Sequence, residues 1–266
     1  MKEVLIIGGN RFVGKLVSEE LYNKGYNIIL LNRSGSSPVN STVIRQDRNN
    51  IDKVKLHRLI NFSPEVIIDM CAYDVTQVKK LLSSVNTDNL SQYILVSSIA
   101  SEYSFFGDYG RRKAEIELFF RFDSDIPYVI IRPTYIIGKN DPHKRIDYFL
   151  DCIKETKPIV LEGIGDENLS FVFVEDVAKV ITEVVRKEIV NKTYNVANDE
   201  VISSKELVKL FFKVMNKQTS ISYSHDEGFI FRNKECVLSN KLTKNDLGIK
   251  FKSLETGIRE YIISKS

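Results

Sequence analysis

A tyrosine and a lysine stand four residues apart in "DYGRRKAEIELFF", at Tyr109 and Lys113. On a helix those positions share one face. An ammonium one turn from a phenol favours the tyrosinate, so it lowers the phenol's pKa toward the range where protons pass to and from a substrate hydroxyl or carbonyl. The pair is common by chance, and its meaning depends on where the fold puts it.

A second stretch, "GGNRFVGKL" at residues 8–16, follows the apolar run "VLII" and has two readings. From Gly9 it shows the Walker A spacing GxxxxGK, and "VIIDM" with Asp69 imitates a Walker B strand. A working Walker A loop continues with a Ser or Thr that ligates magnesium. Here Leu16 follows Lys15, and leucine ligates nothing. From Gly8 the stretch is a dinucleotide-binding turn. Gly8, Gly9 and Gly14 stand where the chain turns sharply and where a helix must approach strand and pyrophosphate closely; Phe12 and Val13 are counted with them as cofactor contacts. Arg11 occupies the central glycine's position and brings a cation to a helix N-terminus suited to phosphate.

The second apolar run, "YNIILLN", ends in Asn32 and is followed by Arg33, where NAD-binding sheets usually place an acid for the ribose hydroxyls. A carboxylate would repel a 2′-phosphate and an arginine would clamp it. NADP is therefore the expected cofactor in preference to NAD, with Asn32, Arg33 and Asp47 among its contacts.

These residues need a scaffold, and the apolar runs supply one. "EVLIIG", "YNIILLN", "STVIRQD", "EVIIDM", "QYILVSS", "YVIIRP" and "KTYNVAN" recur with amphipathic stretches such as "GKLVSEELYNKG" between them. The pattern predicts α/β architecture, a doubly wound parallel sheet of the Rossmann type buried on both faces by helices. After Pro133 the rhythm changes to a polar loop ("GKNDPHKR"), a helix ("RIDYFLDCIKE") and a hairpin-like segment ("KPIVLEGIGDENLS"). "FVFVEDVAKVITEVVRK" then reads as strand followed by helix, and Ser203 with Glu206 has capping-box spacing. We expect one unit over 1–266, with 134–170 and 198–266 contributing a smaller interleaved substrate lobe.

Composition narrows the function. The 266 residues carry 38 basic and 35 acidic side chains, net +3, too little excess charge to advertise a polyanionic partner. Cys71, Cys152 and Cys236 match no paired metal-ligand spacing and suit a reducing, cytoplasmic setting. His57, His143 and His225 are scattered among polar neighbours, so no metal site is expected. The apolar run near the N-terminus is too short for a signal-peptide core, and no stretch approaches membrane-spanning length.

In their order along the chain, "GGNRFVG", "YILVSS", "YGRRK", "IIRPTYIIG", "FVFVEDVA", "TYNVAN" and "DLGIKFKSLETGIREYI" resemble the short-chain dehydrogenase/reductase superfamily, in its extended branch of epimerases and dehydratases. The resemblance implies an NAD(P)-dependent oxidoreductase, epimerase or dehydratase acting by transient hydride transfer on a carbohydrate-like substrate, nucleotide sugars included. It also implies roles. Tyr109 is general acid/base, Lys113 lowers its pKa and holds the nicotinamide ribose, and Ser98 binds the reacting oxygen, with Ser97 as the neighbouring choice. Thr134 and Tyr135 resemble the segment bordering the nicotinamide, and could equally be turn residues. The family's pairing through the Tyr109 helix suggests a homodimer.

Two departures stand out. The arginine that grips the substrate diphosphate in sugar-nucleotide epimerases is replaced by Leu169 in "NLS". A second family arginine, near "DEGFIF", is missing, although Arg232 lies close by. Two other readings compete. The "GGNRF" arginine and small lobe also resemble the atypical chloroplast stem-loop-binding group, some of which bind RNA, against which stand the Tyr109/Lys113 pair and the lack of a basic stripe with interleaved aromatics. A regulator that senses the dinucleotide without turning it over shares the same fold.

Overall fold

In the computed structural model the described residues are 2–52, 63–225, 231–232 and 234–265; His57 and all of "DEGFIF" except Phe231 lie outside them. The strands, in chain order, are β1 (Glu3–Ile7), β2 (Asn27–Asn32), β3 (Thr42–Arg45), β4 (Val66–Asp69), β5 (Gln92–Val96), β6 (Tyr128–Pro133), β7 (Tyr135–Ile137), β8 (Ile159–Glu162), β9 (Asn168–Phe173), β10 (Lys192–Val196), β11 (Val201–Ser203) and β12 (Ile221–Ser224). The helices are α1 (Phe12–Asn23), α2 (Val75–Leu82), α3 (Gly107–Phe122), α4 (Arg145–Lys154), α5 (Val174–Arg186), α6 (Ser204–Met215), α7 (Lys241–Leu247) and α8 (Leu254–Ile263).

All seven runs expected to be strands enter one sheet, ordered β10-β6-β5-β4-β1-β2-β3, with every pairing parallel. Their continuous hydrophobicity follows from burial on both faces. Val4 and Ile6 pack with Val17 and Leu21 of α1 and Val177 and Ile181 of α5. Leu5 and Ile7 point the other way, toward Val78 and Leu81 of α2 and Ile116 and Phe120 of α3. The chain winds from β1 outward to β3, then returns to place β4 on the other side of β1. That reversal opens a crevice at the carboxyl ends of β1 and β4, the usual ligand position in such sheets.

A third apolar cluster joins α4, α6 and α8 to two small sheets, β11-β9-β7 and β12-β8. Here one expectation fails. "KPIVLEGIGDENLS" is no hairpin, because β8 pairs with β12 while β9 lies between β7 and β11. Gly163 and Gly165, at φ +59° and +68°, carry the chain out of one sheet and into the other. The capping box does form: the Glu206 amide donates to Ser203 Oγ at 3.2 Å and the Ser203 amide to Glu206 Oε2 at 2.8 Å.

The junction of β1 and α1 tolerates no added atoms. A Cβ on Gly14 would lie 2.2 Å from the Gly8 carbonyl oxygen, whereas one on Gly25 would meet open space. Backbone cannot yield as a side-chain tip can, so Gly14→Ala is expected to cost at least about 2 kcal/mol in urea denaturation. Gly25→Ala, strained only by its φ of +86°, is expected to cost about 1 kcal/mol. Equal costs would contradict the close approach.

Candidate active site

The glycine-rich turn sits at the mouth of the crevice. Gly8 has φ +82°, and a Cβ on Gly9 would come within 2.6 Å of Leu30. Arg11 is the N-cap of α1; no side chain caps the helix and its first turn carries no acid. The first amides of α1 and its positive end are thus left for an anion, as a dinucleotide pyrophosphate requires. Phe12 is held at φ +47° between Arg11 and Val13, and all three line the crevice.

The competing phosphate-loop reading falls away. Lys15 pairs with Glu19 at 3.7 Å along α1, and Leu16 packs against the core. Asp69 is fully buried, bound by Arg48 at 2.5 and 2.9 Å and by the Tyr93 hydroxyl at 2.7 Å. Its oxygens are engaged by protein, and among the described residues no three metal-ligating side chains cluster.

Two cavities, of about 600 and 650 Å3, share Gly8, Arg11, Cys71 and Tyr73 in their walls. The first lies over the ends of β2 and β3. There Asn32 does not present the free side chain expected of a ribose contact. Its Oδ1 accepts from the Gly35 amide at 2.8 Å and Ser34 Oγ at 2.9 Å, and its Nδ2 donates to the Ser36 carbonyl at 3.0 Å. Asn32 therefore shapes the loop that presents Arg33. That arginine is exposed, lines the cavity and has no carboxylate partner among the described residues. Asp47 lines the same cavity and caps a short turn by accepting from the Asn49 amide at 2.8 Å.

The second cavity holds the expected proton-transfer group. Ser97 is committed elsewhere: its Oγ donates to Glu117 Oε1 at 2.6 Å, in a buried cluster with Arg132. Ser98, one residue on, accepts at its Oγ from the Ala100 amide at 3.1 Å and lines the cavity with Tyr109. Gly110 makes this possible, since a Cβ there would lie 2.3 Å from the Ala100 carbonyl oxygen and hold α3 away from the Ser98 turn. Lys113 is 3% exposed, donates from Nζ to the Val96 carbonyl at 3.0 Å, and lies 5.4 and 5.9 Å from the ring centroids of Tyr73 and Tyr109.

The electrostatics differ from the simple sequence picture. Burial pushes the Tyr109 phenol above its ordinary pKa; the Ser98 side chain opposes the rise, Tyr73 adds to it and the Arg145 cation opposes it. Lys113 is not the group acting on the phenol here, because its ammonium is turned to the Val96 carbonyl. Burial instead lowers Lys113 itself to about 8, against the pull of Asp69. Thr134 is buried in the wall, its amide donating to the Val196 carbonyl at 3.1 Å and its hydroxyl to the same oxygen at 3.4 Å, so it ties β6 to β10. Tyr135 borders the cavity with its phenol pushed up to about 12 by burial. Three contributors escaped the sequence reading. Gly110 was legible in "YG", whereas Tyr73 and Arg145 carry no local signal and reach the site only through the fold.

Residues 100–197 match the model of the NAD dependent epimerase/dehydratase family. The structure superposes on the UDP-glucose 4-epimerase of Thermotoga maritima, solved with UDP-glucose, with TM-score 0.81, 19% identity and 99% of each chain covered. It superposes likewise on the dTDP-glucose 4,6-dehydratase of Bacillus anthracis, solved with NAD, with TM-score 0.82, 18% identity and coverage of 99% of this chain and 96% of that one. This chain has the epimerase/dehydratase fold. The match and superpositions bear out the resemblance read from the motifs. A curated relative is the chloroplast stem-loop binding protein of 41 kDa b of Arabidopsis thaliana, 23% identical over 94% of this chain and 75% of its own length. Within the epimerase/dehydratase fold Leu169 is fully buried in the third cluster, so no cation projects from that position. Arg232, half-buried, donates its amide to the Tyr135 hydroxyl at 3.4 Å.

The depressed Lys113 pKa makes stability depend on pH. The unfolded chain holds the lysine proton up to 10.5 and the folded chain only up to about 8. The cost of the buried charge is therefore full below pH 8 and vanishes above 10.5, a swing of roughly 3 kcal/mol. Wild type is expected to gain that much on Lys113→Met as pH rises through this window, measured by urea denaturation of both. A constant difference would contradict the buried ammonium.

Proposed function

We propose that this chain is an NAD(P)-dependent enzyme of the epimerase, dehydratase or reductase type, with NADP preferred, acting on a hydroxyl or carbonyl of a carbohydrate-like compound. The observation that carries the reading is the convergence of Ser98, Tyr109 and Lys113 on a cavity that shares its wall with an uncapped, glycine-lined helix start. Solved relatives with NAD and with UDP-glucose support the cofactor and substrate class. The segments over 134–170 and 198–266 are assigned to the substrate side.

A bound nicotinamide dinucleotide supplies the hydride donor or acceptor. The turn from Gly8 to Gly14, with Arg11, would hold its pyrophosphate, and Arg33 would hold the 2′-phosphate. Lys113, held in this structure by the Val96 carbonyl, would hold the nicotinamide ribose. Ser98 holds the reacting oxygen by hydrogen bond, and Tyr109 moves the proton. Its raised pKa keeps the phenol protonated at neutral pH in the free protein, ready to donate to a carbonyl. Removing a hydroxyl proton would need the ammonium of Lys113 near the phenol. Unpaired cysteines support a cytoplasmic setting, and the exposed Leu118 and Phe122 of α3 support a homodimer. Among the described residues no helix is long and apolar enough to cross a membrane.

The chain has no tryptophan, so NADPH emission can be followed without an indole background. Tyr109→Phe is expected to bind NADPH as wild type does and to lose at least about 100-fold in NADPH-dependent reduction of a keto-sugar panel. Wild-type turnover that survives this change would overturn the mechanism. Arg33→Ala is expected to weaken NADPH by about ten-fold and NADH by less than about two-fold. Equal weakening would remove the NADP preference.

A further inference from the structure

The loop between β7 and α4 positions a cation that the proposed reaction does not use, Arg145 at the first residue of α4. Asp141 is buried and organises the loop, accepting from the His143 amide at 3.0 Å and the Arg145 amide at 3.1 Å. It also binds the Arg145 guanidinium, but only through Nη1, at 3.0 and 3.1 Å; that nitrogen reaches the Ile136 carbonyl as well, at 3.3 Å. Nε of Arg145 is buried without a hydrogen-bond partner. An unmet buried donor is costly, and the Nε–Nη2 edge of a guanidinium is a fork that fits two oxygens of one oxyanion. Asp141 thus fixes the arginine by one corner and leaves that edge unused.

The surroundings say what the edge is for. Arg145 is in the wall of the cavity containing Ser98 and Tyr109, and its charge is felt by the phenols of Tyr109 and Tyr135. Among the described residues the same wall includes Arg11, Lys113 and His143 and no carboxylate; Asp141 is not part of it. Arg11 and Lys113 belong to the cofactor end. Leu169, where the motif resemblance placed a substrate-gripping arginine, is fully buried.

We propose that Arg145 is the specificity-determining residue of this site, gripping a carboxylate or phosphate oxyanion on the substrate whose hydroxyl or carbonyl faces Tyr109. The inference rests on the enzyme reading above and narrows its substrate to an acidic compound. Asp141 is a positioning residue, presenting the guanidinium without neutralising its free edge.

Calorimetric titration of the NADPH-saturated chain with two matched pairs, glucose against glucuronate and glucose against glucose 6-phosphate, tests this and separates the two oxyanions. The acidic member of at least one pair should bind at least about ten-fold more tightly than glucose. In Arg145→Gln the preference should fall below about two-fold with NADPH binding unchanged, and Arg145→Lys should keep part of it. No preference for acid in either pair, including no binding at all, would overturn the proposal, as would a preference that survives in Arg145→Gln. Failure of wild type to bind NADPH would instead sink the cofactor reading, and the same titrations without cofactor would still decide the role of Arg145.

Discussion

A buried ammonium at the carboxyl end of β5 constrains everything around it. Lys113 is almost wholly out of water, and an ion in that position is costly unless it is well partnered. Its partners are the Val96 carbonyl and the faces of Tyr73 and Tyr109. Meeting them requires α3 to lie hard against the turn after β5, which only Gly110 permits at that point of contact. The helix that delivers the lysine then also delivers Tyr109 to Ser98. Burial lowers the pKa of Lys113 and raises that of Tyr109, although the tyrosine is much the more exposed of the two.

The crevice divides its labour by charge. Over β2 and β3 lie the exposed Arg33 and the start of α1, whose N-cap residue makes no side-chain capping bond. Over β5 and β6 stand Ser98, Tyr109 and Lys113. Tyr73 and Gly8 belong to both walls, so a molecule spanning the two cavities passes them. Asp69 shows how the fold secures this boundary from beneath, for its pairing with Arg48 and Tyr93 ties β4, β5 and the segment after β3 together below the junction.

Much of this was legible in the residues. The seven central strands are continuous apolar runs because both sheet faces are covered, and burial on two faces leaves an unmistakable record. The capping box at Ser203 and Glu206 is local chemistry, and Ser98 could be counted from a rigid strand. Other features depend on partners far along the chain. Nothing in "KPIVLEGIGDENLS" says that β8 will find β12 and β9 will find β7 and β11. The role of Asn32 depends on how the next four residues fold back over it. Arg145 sits in a stretch that reads as a polar loop, and only the buried Asp141 and the closing of that loop over the cavity give it a role. The effect expected of Lys113 on Tyr109 followed from spacing alone, whereas the direction in which its ammonium points is a property of the folded site.

The central claim is that the Ser98–Tyr109–Lys113 corner receives the nicotinamide end of a dinucleotide. A crystal structure of the NADPH complex tests it most directly. The account predicts pyrophosphate over the Gly8–Gly14 turn, and ribose hydroxyls within hydrogen-bonding distance of both Tyr109 Oη and Lys113 Nζ. A dinucleotide lying elsewhere, or one in the crevice while Lys113 stays bound to the Val96 carbonyl with no ribose contact, would contradict it.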